Sequence, residues 1–157
     1  MIIFFRLLLV TILYHICLFA HCQIPCGIYS DAMQIIQIQE DLSTIEKAMR
    51  MINSLSEKSD PQTLNQIGRW ISAKEQHAQN IQNTISQYFL TQRIKQSSTN
   101  YENQLITLHQ LLVSIMKCKQ NVNKDHVKRS SELLDDFVEF YFDKHGIEHL
   151  NKLDSKS

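Results

Sequence analysis

From about residue 32 to residue 142 apolar side chains recur every three or four positions, and little interrupts them: the chain holds only 2 prolines and 3 glycines. That spacing lines up one face of an α-helix, and no stretch shows the two-residue alternation of a half-buried strand. A first helix is predicted from about residue 32 to 55, with Met33, Ile36, Glu40, Ile45, Met49 and Ile52 at helical spacing after a cap at Ser30 or Asp31. Ser56 to Ser59 is a polar break. Asp60-Pro61 then reads as a start signal, because a carboxylate accepts from the free amides of a first turn and proline has no amide to leave unpaired there. The second helix runs from 61 toward 93 with Leu64, Ile67, Ile71, Ala78, Ile81, Ile85 and Phe89 on one broad face.

After a link at Gln96 to Ser98, Thr99-Asn100-Tyr101-Glu102 has capping-box spacing. Leu105, Leu108, Leu112, Ile115 and Met116 stripe a third helix, and Asn121 to Asn123 break the pattern. A fourth helix, about 124 to 142, presents Val127, Leu133, Leu134, Phe137, Val138 and Tyr141. Gly146 supplies an end signal, which leaves 147–157 as a polar tail. Four stripes joined by short links are buried together most simply in an all-α, up-down-up-down four-helix bundle over 30–146. A chain of 157 residues suits one such domain.

The first twenty residues have a different character. One early cation, Arg6, precedes the apolar run Leu7 to Leu13, and small Ala20 ends the segment with Leu18 three positions before the cut. This is the layout of a cleaved secretory signal peptide over 1–20, and it places the mature chain outside the cell or in the lumen of the secretory pathway. An uncleaved membrane anchor is the competing reading, since Ile2 to Ala20 is nearly long enough to span a bilayer; Tyr14, His15 and Cys17 dilute that run. Sixteen basic side chains balance sixteen acidic ones, and loss of Arg6 barely changes this. Without a net field neither nucleic acid nor a membrane surface is an expected partner once the leader is gone.

Cleavage after Ala20 would leave His21-Cys22-Gln23-Ile24-Pro25-Cys26-Gly27-Ile28-Tyr29 at the new terminus. The freed amine, the Cys22 amide nitrogen and the Cys22 thiolate then form two fused chelate rings in one plane. Cys26, returned by a turn at Pro25 and Gly27, fills a fourth corner, and the His21 imidazole reaches an axial position. Restricted φ at proline and positive φ at glycine suit so tight a reversal. Mixed nitrogen and sulfur donors in a plane favour Ni(II) or Cu(II) over tetrahedral zinc. The alternative is a Cys22–Cys26 disulfide in a secreted, non-enzymatic helical binding module, with Cys118 as a buried helix residue.

The string H-C-x-x-P-C-G-x-Y resembles the metal hook of the nickel-dependent superoxide dismutases. The likeness continues more loosely through Asp60-Pro61-Gln62, Arg69-Trp70, Lys74-Glu75-Gln76-His77-Ala78 and Gln87-Tyr88-Phe89-Leu90-Thr91-Gln92, which are similar to the marine microbial branch of that family. The resemblance implies a nickel ion as cofactor, superoxide as substrate and a homohexamer of four-helix bundles. It implies His21 as amine and axial imidazole ligand, Cys22 as amide and thiolate ligand, Cys26 as second thiolate, and Tyr29 as the phenol that limits access to the open face. Where the bacterial pattern uses a glutamate and an arginine to hold the axial imidazole, this chain has Gln37 and His77, which can still accept and donate. His109, His126, His145 and His149 read as surface residues, and Lys74 and Arg69 as solvated helix charges, with a source of local positive potential as the alternative.

Overall fold

The computed structural model describes residues 30–155, so the leader and the string from His21 to Tyr29 lie outside the described residues. Five helices follow one another: α1 (Asp31–Leu55), α2 (Pro61–Asn83, continued by a π-helical segment over Thr84–Arg93), α3 (Tyr101–Gln120), α4 (Asp125–Tyr141) and α5 (Lys144–Asp154). The first four form the expected up-down-up-down bundle, with the most extensive packing between α1 and α2 and between α3 and α4. α5 lies against α1.

Only α2 and α5 are capped by a side chain at their start; Ser30 makes no cap bond to α1, and the Asp31 carboxylate is taken by Tyr88, Arg93 and Tyr141. The Thr63 amide donates to the Asp60 carboxylate at 3.0 Å, with Pro61 at the first helical position, as the Asp-Pro signal requires. The capping box does not form. Asn100 is the residue before α3, and its side chain instead donates to the Phe140 carbonyl at 3.2 Å, tying the start of α3 to the end of α4. Gly146 is not an end signal either. Asp143 caps α5 by accepting from the Gly146 amide at 2.7 Å, so the boundary at 146 falls inside a helical first turn. A Cβ there would come within 2.6 Å of the Phe142 ring, which explains a glycine in that position. The polar tail is therefore a helix that buries Leu150.

Details of the stripes also shift. In α1, Met33 and Glu40 face solvent, and the buried seam is Ile35, Ile38, Leu42, Ile45 and Met49. In α3 Leu111 and Cys118 are buried where Met116 is exposed. Only the second half of the α2 face is covered: Ala78, Ile81, Ile85 and Phe89 are fully buried, whereas Leu64 and Ile71 are 55% and 42% exposed. One end of the core is aromatic. Phe89 meets Phe137 edge to face at 5.1 Å and Tyr141 at 5.6 Å, while Tyr88 packs on Phe89 at 5.1 Å. This is the end at which α1 begins, since Tyr88 and Tyr141 both bond its first residue.

Candidate functional site

His21, Cys22, Pro25, Cys26, Gly27 and Tyr29 all lie outside the described residues, and what the structure shows is the start of α1 that follows them in sequence. Its first residue is Asp31. Arg93 Nη2 donates to Asp31 Oδ2 at 2.6 Å, Tyr141 Oη donates to the same oxygen at 2.7 Å, and Tyr88 Oη donates to Oδ1. Burial pushes the Asp31 carboxyl up, but the bonds from Arg93, Tyr88 and Tyr141 outweigh it and hold the group below the usual carboxylate range. The Tyr141 phenol is pushed up to about 12 by burial and then by its bond to Asp31. A cleft of about 450 Å³ opens beside this cluster, lined among others by Arg93, Lys95, Gln104 and Tyr141.

Gln37 and His77 have separate partners. Gln37 is exposed on α1 and donates to Glu40 Oε2 at 3.3 Å. His77, on α2, places Nδ1 2.6 Å from Oδ1 of Asp41, whose side chain is only 2% exposed. The carboxylate accepts, which puts the imidazole hydrogen on Nδ1 and points to Nε2 as an acceptor in the neutral ring. Asp41 escaped the sequence reading because its partner lies 36 residues away. A carboxylate flanked by Ile38, Leu42 and Ile45 on a buried seam was the available signal.

Lys74 is not a surface source of potential. It is 3% exposed, and its ammonium donates to the carbonyls of Cys118 and Lys119 at the end of α3. Arg69 is exposed. His109, His145 and His149 are exposed and His126 is half-buried. Cys118 is fully buried, and burial raises its thiol pKa, so it is chemically quiet. Among the described residues no group of three or more histidine, cysteine or acidic side chains is placed to hold a metal.

Compared with known protein families, residues 17–145 match the nickel-containing superoxide dismutases. The chain belongs to that family. No curated protein and no solved structure matches it significantly. The matched span takes in His21 to Tyr29 and all of α1 to α4, and it stops in the first turn of α5. Membership makes the protein a nickel-dependent superoxide dismutase, an oxidoreductase with a nickel cofactor and superoxide as substrate. The donor chemistry fits nickel. The string from His21 to Cys26 offers an imidazole, backbone amides and two thiols, mixed nitrogen and sulfur donors of the kind nickel takes. No helix of the described residues is long and apolar enough to cross a membrane.

Proposed function

We propose that this superoxide dismutase works by Ni(III)/Ni(II) cycling at the amino terminus that cleavage after Ala20 exposes. The observation that carries this reading is the family match over the segment containing H-C-x-x-P-C-G-x-Y. Two superoxide anions and two protons become dioxygen and hydrogen peroxide: one anion loses an electron, and the other gains it together with both protons. Nickel, when bound, supplies a one-electron couple that thiolate and amide donors bring into reach. His21 would hold it through amine and imidazole, Cys22 through amide nitrogen and thiolate, and Cys26 through thiolate. Pro25 and Gly27 shape the turn between the sulfurs, and Tyr29 restricts entry to small anions.

Gln37 and His77 would orient the His21 imidazole, and Asp41 would support them by holding the His77 ring, whose Nδ1 lies 2.6 Å from its Oδ1. The homohexamer expected of the family is supported by a stripe on α2. Leu64, Ile67 and Ile71 follow helical spacing, Leu64 and Ile71 are exposed, and burial against neighbouring subunits would remove them from water. The leader supports delivery to the secretory pathway, where His21 would be freed.

Expression of the full chain with nickel, followed by N-terminal sequencing and metal analysis, tests the proposal. A mature chain beginning at His21 with bound nickel is expected. One residue added before His21 turns its amine into an amide, and activity should fall by at least about 100-fold while helicity is kept. Full activity in a chain that retains Ala20 would refute the assignment, and an intact Cys22–Cys26 disulfide in the native protein would favour the binding module.

A further inference from the structure

We propose that the groove between α3 and α4 binds a sulfated polysaccharide. It measures about 410 Å³ and is lined by His109, Gln110, Lys117, His126 and Arg129, with no carboxylate among the described residues around it. The cleft beside Asp31, by contrast, carries that carboxylate and Asp143 as well. The chain is neutral as a whole, yet residues 117–129 hold five lysines and arginines against one acid, Asp125, and residues 132–143 hold five acids and no lysine or arginine. α4 therefore runs from a basic start to an acidic end, and its last turn has no base. A helix dipole favours the opposite order. Nor do cations relieve the acidic end: burial, and then Asp136 and Glu139, push the Asp135 carboxyl up. Lys117 and both imidazoles form no ion pair with a described residue. Arg129 meets Glu132 at 3.4 Å, but both side chains are half exposed, so an incoming anion competes for the guanidinium. An order unfavourable to the helix itself is accounted for by an anion from outside.

The groove also has fixed walls. The His126 carbonyl accepts from Ser114 at 3.1 Å and from Ser130 at 2.8 Å, and these two buried hydroxyls pin the start of α4 to α3. His109 and Lys117 are about 12 Å apart along α3, and His126 and Arg129 stand nearly one turn apart along α4. Such a row suits a chain of repeated anionic groups better than a single ion. No phenylalanine, tyrosine or tryptophan lines it, so the bases of a nucleic acid find nothing to stack on. The Gln110 amide both donates and accepts, which matches the hydroxyls between sulfates and is wasted on polyphosphate. The site is separate from the nickel reading and does not depend on it.

The test is calorimetric titration of the purified, nickel-loaded chain with a heparin octasaccharide at rising salt. Saturable binding is expected, with log Kd linear in log salt concentration. Lys117→Gln and Arg129→Gln should each weaken binding about fivefold and about 25-fold together, and each should lower the salt slope by about one. Lys128 is exposed and does not line the groove, so Lys128→Gln, which removes the same charge, should change Kd less than about twofold. Desulfated heparin should not bind, and kcat and KM for superoxide should be the same in all three variants. Absence of heparin binding, equal affinity for polyphosphate or duplex DNA, or an equal loss in Lys128→Gln would overturn the proposal. Groove variants that dissociate the assembly would overturn it too, by giving the groove to a second copy of the chain.

Discussion

Replacing Lys74 by methionine asks whether a buried ammonium holds α2 to α3. The Lys74 side chain is 4% exposed, and its Nζ donates to the Cys118 carbonyl at 2.8 Å, to the Lys119 carbonyl and to Glu75 Oε1 at 3.0 Å. Both carbonyls belong to the last turn of α3, which has no partners for them within the helix. Methionine keeps the stem and removes the donor. Leaving the buried Cys118 carbonyl unpaired costs about 1–3 kcal/mol. Loss of a cation at a helix C-terminus adds about 0.3–1 kcal/mol. Relief of the ammonium's desolvation returns part of this, so a net loss of about 2–3 kcal/mol is expected. For a domain of this size that is a fall of roughly 10 °C in Tm. Urea unfolding followed by circular dichroism measures it, with Glu75→Gln as the control. Glu75 is 42% exposed, and its pair should contribute no more than about 0.5 kcal/mol. A loss below about 1 kcal/mol for Lys74→Met, or an equal loss for the control, would refute the reasoning.

Leu150→Ala on α5 should cost about 2–4 kcal/mol, because Leu150 is 5% exposed in the core beside α1; an unchanged urea midpoint would show that α5 is not docked in solution. Stability should also depend on pH through the Asp31 cluster. The Asp31 carboxyl is held below its ordinary value of 3.8, so its contribution is present above that pH and lost as the pH falls through the lowered pKa. The Tyr141 phenol is raised from 10.0 to about 12, so its contribution is complete below 10.0 and lost as the pH rises toward 12. Denaturation curves across this range should show both edges, and an alkaline edge unchanged in Tyr141→Phe would contradict the second.

Much of the bundle was legible because its causes are local. The Asp60-Pro61 start, the polar breaks and the apolar spacing fix the helices from neighbouring residues alone. What was misread depends on partners distant in the chain. Thr99 to Glu102 has the spacing of a capping box, yet Asn100 bonds Phe140. Gly146 resembles a stop signal, but Asp143 begins a new helix there, and the buried Leu150 justifies it. The π-helical segment breaks the register assumed for α2, which concealed the meeting of Tyr88 and Arg93 at Asp31. Lys74 looked like surface charge because nothing within α2 announces that α3 ends against it. The candidate ligands were legible for the opposite reason: a chelate of adjacent residues is written in consecutive letters.

That contrast bears on how the enzyme is built. The proposed chelate of His21, Cys22 and Cys26 would choose its metal by donor type, which consecutive residues already carry. The first residue of α1, by contrast, is held by groups drawn from across the chain. Tyr88, Arg93 and Tyr141 reach Asp31 over 57, 62 and 110 residues. Contacts so distant exist only when α1, the π-helical segment and α4 are all in place, because loop closure must already have been achieved by the packed core. The start of α1 is therefore fixed only once the whole bundle has formed. Damage to the aromatic end of the core, for instance at Phe89 between Tyr88 and Tyr141, should loosen the start of α1 through that carboxylate before it melts the opposite end of the bundle, and amide hydrogen exchange over residues 31–36 would show it.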